Sequence, residues 1–312
     1  MKCCFCYEQA KENFHTHCSL KFFGRSPAPT LNSSLDEIDK IATQFINQRL
    51  TVTGVQRKLS LSLPYKKDRF TIVGSLGGSY ILKPPSNEFP EMPENEDLIM
   101  KLAKICKIKT AQHSLIRMAD GTIAYLAKRF DRTHDKKSEK IAVEDLCQLM
   151  ELPTEQKYTS SHEKLGKTIQ KYSSVPGDDG LRLFELIVFS FLVGNADMHL
   201  KNFSMMTEDH NFIHLSPAYD LVSTRLVISE KDDSEELALT LNGKKKKLKL
   251  VDFIEFARKM NIKEKLALKV IKQQGALLAK SKDLIFRSFL SKKRQQELIS
   301  LVESRTKLIL PP

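Results

Sequence analysis

Apolar residues along this chain follow two rhythms. Up to about residue 130, short alternating runs are interleaved with single amphipathic stretches; from Val143 onward, apolar positions return every three or four residues. Leu35, Ile38, Ile41, Ala42, Phe45 and Ile46 predict a helix over 36–49, with Ser33 or Ser34 as its N-cap. Leu59, Leu61 and Leu63 alternate with Ser60 and Ser62, the pattern of a strand buried on one face. Phe70 to Lys83 reads as a hairpin turning near Gly77-Gly78 and stopped by Pro84-Pro85. A helix over 94–106 carries acidic residues in its first turn, where the helix dipole favours them, and a buried stripe of Leu98, Ile99, Leu102, Ala103 and Cys106. Strands over 113–118 and 122–128 meet at Asp120-Gly121. Further on, helices are predicted over 143–151, 161–173, 180–193, 251–260, 263–280 and 291–308, with one short strand at 212–215. The expected class is α+β, with a small β-containing lobe over 1–130 and a mainly helical lobe over 131–312.

Composition changes this picture in three places. The net charge of +12 suits an anionic partner, whether nucleotide phosphate, nucleic acid, acidic protein or membrane surface, and does not choose among them. The run Lys244 to Lys247, with Lys249, reads by default as a solvated face. No run reaches the ~18 apolar residues of a membrane span, and the N-terminus lacks a basic-then-apolar leader, so the expected location is the cytoplasm with no membrane partner. Four of the six cysteines fall in the first eighteen residues, at Cys3, Cys4, Cys6 and Cys18. Cys3-x-x-Cys6 with His15-x-x-Cys18 has the ligand types and pair spacing of a small zinc knuckle. The plainer expectation is a set of partly buried reduced thiols, with structural zinc the less favoured of the two.

The chemistry concentrates where the apolar run Val188 to Val193 stops at Gly194. Asn195, Asp197, His199, Lys201, Asn202 and Ser204 follow within a few positions, the way a scaffold presents reactive groups on a loop. Asp197 and Asn202 stand five apart, the spacing at which a kinase catalytic loop places its base and a magnesium ligand. A helix-capping loop would look similar. Upstream, Thr51 to Lys58 sets one glycine among hydroxyls and a lysine, able to wrap phosphate oxygens but without Walker spacing. Lys83 ends a strand, where kinases place a phosphate-gripping ammonium. Asp197 beside cationic Lys201 would stay ionised.

Seven motifs in order carry a family resemblance: Gly54-Val-Gln-Arg-Lys58, Tyr80-Ile-Leu-Lys83, Glu94-Asn-Glu96, Lys128-Arg-Phe-Asp-Arg132, Glu144-Asp-Leu-Cys-Gln148, Asn195 to Ser204, and Tyr219-Asp220. In these the chain resembles the HipA family of serine/threonine kinase toxins, and most the short HipT type of three-component toxin–antitoxin systems. The resemblance implies a two-lobe protein-kinase-like fold, ATP and magnesium as cofactors, and Asp197 as catalytic base. Asn202 and Asp220 are then the magnesium ligands. Thr53, Gly54, Val55, Gln56, Arg57 and Lys58 form the phosphate loop, and Lys83 grips phosphate. Lys128, Arg129 and Phe130 form the hinge that meets adenine through backbone groups, while His199, Lys201 and Tyr219 complete the ATP site.

The family's self-modified serines correspond here to Thr51 and Thr53, a departure in residue type. The resemblance also implies a protein substrate, an aminoacyl-tRNA synthetase. It implies a small antitoxin resembling the N-terminal subdomain that longer members carry and this chain is expected to lack, together with a DNA-binding partner. Two rival readings stand beside it: a small-molecule kinase of the same fold, and a basic binding module with inactive kinase architecture. The latter is opposed by the absence of tryptophan and of basic stretches interleaved with aromatics.

Overall fold

A computed structural model describes residues 1–47, 58–64, 67–73, 77–89, 91–133 and 139–310, with the backbone alone for 42–47. The chain forms two compact units. One comprises Met1–Leu98, Ala111–Lys140 and Arg287–Leu290; the other comprises Ile99–Thr110, Ile141–Phe286 and Ser291–Pro312.

The first unit contains α1 (Thr16–Phe23), α2 (Leu35–Asn47), β1 (Leu59–Ser62), β2 (Thr71–Val73), β3 (Tyr80–Lys83), the start of α3 (Met92–Ile105), β4 (His113–Arg117) and β5 (Ile123–Lys128). Ser34 and Glu37 begin α2 as a capping box, each side chain bonding the other's backbone N–H. The sheet runs β2-β1-β3-β5-β4, all neighbours antiparallel. Leu61, Leu82, Leu115, Ala124 and Leu126 are fully buried in it. Rings of Phe22, Phe23, Phe70 and Tyr80 stack edge to face and tie α1 to the sheet.

Two strand expectations are corrected here. β2 and β3 are not a hairpin, because β1 lies between them and pairs with both. The segment returning from β2 passes so close to β1 that a Cβ on Gly78 would stand 2.4 Å from the Leu61 carbonyl oxygen, at a φ of 76°. The glycine pair is thus explained by close backbone approach rather than by a two-residue turn. Nor is β1 buried on one face alone: Ser60, on the face opposite Leu59, is as buried as Leu59.

The second unit holds β6 (Ala142–Asp145), α4 (Leu146–Leu149), α5 (His162–Tyr172), α6 (Pro176–Val193), β7 (Ser204–Glu208), β8 (Phe212–Leu215), α7 (Leu250–Lys259), α8 (Glu264–Ala279), α9 (Lys282–Arg287, its last residue in the first unit) and α10 (Lys292–Ile309). β6, β7 and β8 form a small antiparallel sheet. The helix expected over 143–151 is therefore half strand: Val143 and Glu144 pair with Met206 and Met205, and a capping box between Asp145 and Gln148 delays the helix to Leu146. α6 starts a turn earlier than expected because Pro176 suits the first helical position, and every residue from Leu186 to Val193 is buried. The lysine run is partly paired, Lys244 with buried Asp252 at 2.8 Å and Lys245 with Glu235 at 3.1 Å. No helix among the described residues is long and apolar enough to cross a membrane.

Two stability measurements follow. Gly78→Ala should cost about 3 kcal/mol by urea unfolding. Gly121→Ala, at φ 84° with open space around it, should cost about 1 kcal/mol; equal losses would dissociate Gly78 from the β1 approach. His162 opens α5, is buried between the rings of Phe203 and Phe256, and has no hydrogen-bond partner on either ring nitrogen among the described residues. Burial lowers its pKa from an ordinary 6.5 to about 4. Below pH 6.5 the unfolded chain takes a proton that the folded one refuses, so stability falls as pH drops through that window, by about 3 kcal/mol at most. His162→Leu should flatten the profile of urea midpoints between pH 7 and pH 4.5.

Candidate active site

The loop after α6 is fixed at its root by Gly194, whose left-handed φ of 71° ends the helix. A Cβ there would meet Leu301 at 2.7 Å and Arg225 at 2.9 Å. The Thr224 hydroxyl staples the exit, donating to the Gly194 carbonyl at 3.0 Å and accepting the Ala196 N–H at 2.9 Å. Asn195 Oδ1 then accepts the Asp197 N–H at 3.0 Å, an Asx turn. Asn202, on a short 3-10 turn (Leu200–Asn202), donates Nδ2 to the Asp197 carbonyl at 2.8 Å. Asp197 and Asn202 are thus held together, and Asn202's Oδ1 is the polar atom left over, a hard oxygen of the kind magnesium takes. Asn202 is 7% exposed, whereas the Asp197 side chain is 46% exposed, so the carboxylate is open to an incoming hydroxyl.

Two aromatic groups attend that carboxylate. Tyr158 donates its phenol to Asp197 Oδ1 at 2.5 Å, and His199 Nε2 stands 4.0 Å from the same oxygen. Burial and the Asp197 charge push the Tyr158 phenol up, so it stays a donor. Burial lowers His199, partly offset by Asp197. Lys201, expected beside Asp197, bonds Asp145 at 2.8 Å instead. Tyr219 donates to the Lys201 carbonyl at 2.8 Å and shares a 2.6 Å bond with Ser204, pinning its neighbour Asp220 to the Asn202 turn. Asp220 has a φ of 56°, the left-handed region that Asp tolerates better than most residues.

In the first unit, the Lys83 ammonium bonds both carboxylate oxygens of Glu96 on α3, at 2.8 and 3.0 Å, with side chains 8% and 1% exposed. Burial raises Glu96, and Lys83 opposes the shift. Of the expected phosphate loop, Lys58 is described, near enough to Glu96 to act on it by charge; Thr51, Thr53, Gly54, Val55, Gln56 and Arg57 lie outside the described residues. In the expected hinge, the N–H groups of Lys128 and Arg129 already donate to Gln112 and Ser79 carbonyls at 2.8 and 2.9 Å. Any adenine contact there falls to the segment's remaining groups. The Arg129 guanidinium is clamped on Asp131 at 2.8 and 2.7 Å.

The profile of the HipA-like C-terminal domain family matches residues 50–281. The chain belongs to this family. A Sinorhizobium fredii protein, Y4mE, a candidate kinase by its name, is 33% identical over 210 residues, covering 65% of this chain and 48% of that protein. The serine/threonine-protein kinase toxin HipA of Shewanella oneidensis is 27% identical over 214 residues, covering 62% and 47% respectively. The chain spans about half the length of these curated relatives. In the solved complex of Shewanella oneidensis HipA with HipB and operator DNA, HipA shares the fold with a TM-score of 0.71 at 19% identity, over 91% of this chain and 74% of that one. The fold is thus the protein-kinase-like α+β class.

Within this HipA-like domain, three partners escaped the sequence reading: Glu96, Asp145 and Tyr158. Glu96 and Asp145 lay inside quoted motifs without a role, and the capping pattern Asp145-x-x-Gln148 was the overlooked signal for the second. Nothing local marked Tyr158, which reaches Asp197 across 39 positions.

The Lys83–Glu96 pair gives a test independent of activity. Lys83→Met should cost about 3 kcal/mol at neutral pH, since it strands a buried carboxylate. Adding Glu96→Gln should recover much of that loss in chemical denaturation; purely additive losses would show that the pair is not coupled.

Proposed function

We propose that the protein is an ATP- and magnesium-dependent serine/threonine protein kinase acting as the toxin of a toxin–antitoxin system. The observation that carries this reading is the buried Lys83–Glu96 pair. A buried ion pair is a poor source of stability, because desolvating both charges offsets their attraction. Its value lies in aiming an ammonium, and a strand lysine paired with a helix glutamate is the arrangement phosphoryl-transfer kinases use to hold nucleotide phosphates.

The residues of the second unit fit the rest of the chemistry. Asn202 Oδ1 and the Asp220 carboxylate are hard oxygen ligands of the kind a magnesium site needs, and buried His199 Nδ1 and Asn195 Nδ2 have no protein partner among the described residues. Magnesium held there would neutralise charge on the phosphates. Asp197 accepts the proton of the acceptor hydroxyl, oriented by Asn195 and Asn202 through its backbone. Lys83 holds phosphate oxygens, aided by Lys58. The acceptor is read, on the family's account, as a translation component, an aminoacyl-tRNA synthetase, with Thr51 or Thr53 as the site of self-modification. The partners, on the same account, are a small antitoxin and a DNA-binding protein like the HipB of the Shewanella complex.

Asp197→Ala should reduce phosphorylation of self and target by about 10²–10⁴-fold with the fold intact. Asp220→Ala should in addition weaken magnesium-dependent ATP binding. Phosphoproteomics of cells expressing wild type against Asp197→Ala would name the target, and mass spectrometry of the purified chain would locate phosphate at Thr51 or Thr53. Near-normal phosphorylation by the Asp197→Ala protein would overturn the assignment.

A further inference from the structure

We infer that Cys3, Cys6, His15 and Cys18 form a zinc site, and that this site holds Tyr7 and, through it, the N-terminal half of α3. The four ligand atoms lie within 4.8 Å of one another. Cys6 Sγ and Cys18 Sγ stand 3.4 and 3.8 Å from His15 Nδ1. Tetrahedral zinc, with bonds of about 2.3 Å to sulfur and 2.0 Å to nitrogen, spaces sulfur from nitrogen by about 3.6 Å, so Cys6 and Cys18 already stand from His15 at the spacing such a site needs. All six cysteines are free thiols, so no disulfide accounts for the gathering.

The surroundings match a metal site rather than a thiol cluster. His15 Nε2 stands 2.9 Å from the Gln9 carbonyl, a bond that puts the ring proton on Nε2 and leaves the Nδ1 lone pair facing the sulfurs. Crowded thiolates repel, and a dication at their centre relieves the repulsion; on binding, the thiol protons pass to solvent and nothing is oxidised.

The consequence reaches α3. Residues 1–14 contain no helix or named strand; backbone bonds such as Cys3 N–H to Glu8 O and Tyr7 N–H to Cys3 O wind them around the tetrad. Tyr7 sits just after Cys6 with a φ of 68° and 2% exposure. It donates its phenol to Asp97 Oδ2 at 2.5 Å, and Asp97 Oδ1 meets His113 Nδ1 at 2.6 Å. Asp97 follows Glu96, the partner of Lys83. Tyr7 is thus a positioning residue for the helix that carries Glu96.

Metal analysis of the purified full chain, kept from chelators, should give about one zinc per chain. Cys6→Ser and Cys18→Ser should lose it, whereas His17→Ala, whose Nε2 lies 3.2 Å from Cys18 Sγ outside the tetrad, should keep it. Cobalt(II) in place of zinc should show the visible absorption of a tetrahedral thiolate site. Amides of residues 95–98 should exchange at least about tenfold faster after zinc is stripped by chelation, and Tyr7→Phe should reproduce that gain with zinc retained. If the cysteine variants do not fold, the chelated wild type supplies the comparison. A metal-free chain of undiminished stability, or iron in place of zinc, would overturn the site; zinc removal without faster exchange over 95–98 would overturn the link to α3. None of these readouts depends on kinase activity.

Discussion

The first unit is built around an expensive requirement: two adjacent carboxylates, Glu96 and Asp97, are 1% and 0% exposed. An ionised carboxylate away from water costs several kcal/mol unless partners surround it. Adjacent helical residues point in different directions, so one partner cannot serve both. Lys83 arrives from β3 for Glu96; His113 from β4 and Tyr7 from the Cys/His segment arrive for Asp97. The placement of β3, of β4 and of the chain's first residues is therefore settled on one turn of α3. The apolar stripe of that helix alone would permit sliding; the charges do not.

In the second unit the same economy is achieved with neutral groups. The loop from Gly194 to Asn202 is held by hydroxyl, amide and backbone bonds, and its central carboxylate is left open. Rigidity comes from Asn195, Asn202 and Thr224, none of which changes charge with pH. The Asp197 carboxylate is thus set in a frame of Asn195, Asn202 and Thr224 whose charge does not change with pH.

What could be read from the sequence was what is local. The buried stripe of α3, the burial of α6 and the Asp197–Asn202 spacing are written within one or two turns of chain, and the structure repeats them. Strand order is not local: β1 between β2 and β3 follows from pairing that alternation of Leu and Ser cannot specify, which is why a hairpin was expected. β7 carries Met205 and Met206 in place of the β-branched residues that usually mark a strand, and it went unread. The residues attending Asp197 and Lys83 come from 39 and 13 positions away, so motif spacing could not show what holds them.

Tyr158 lies on an exposed stretch between α4 and α5, anchored where the Lys157 carbonyl accepts the Leu200 N–H at 3.2 Å. Its phenol occupies Asp197 Oδ1, so any other hydroxyl reaching that oxygen must displace it. Water competes there too, and meets the same incumbent. The stretch that carries Tyr158 and the amide frame beneath Asp197 come from separate pieces of chain, so the contact at the carboxylate can change while the frame stays as it is.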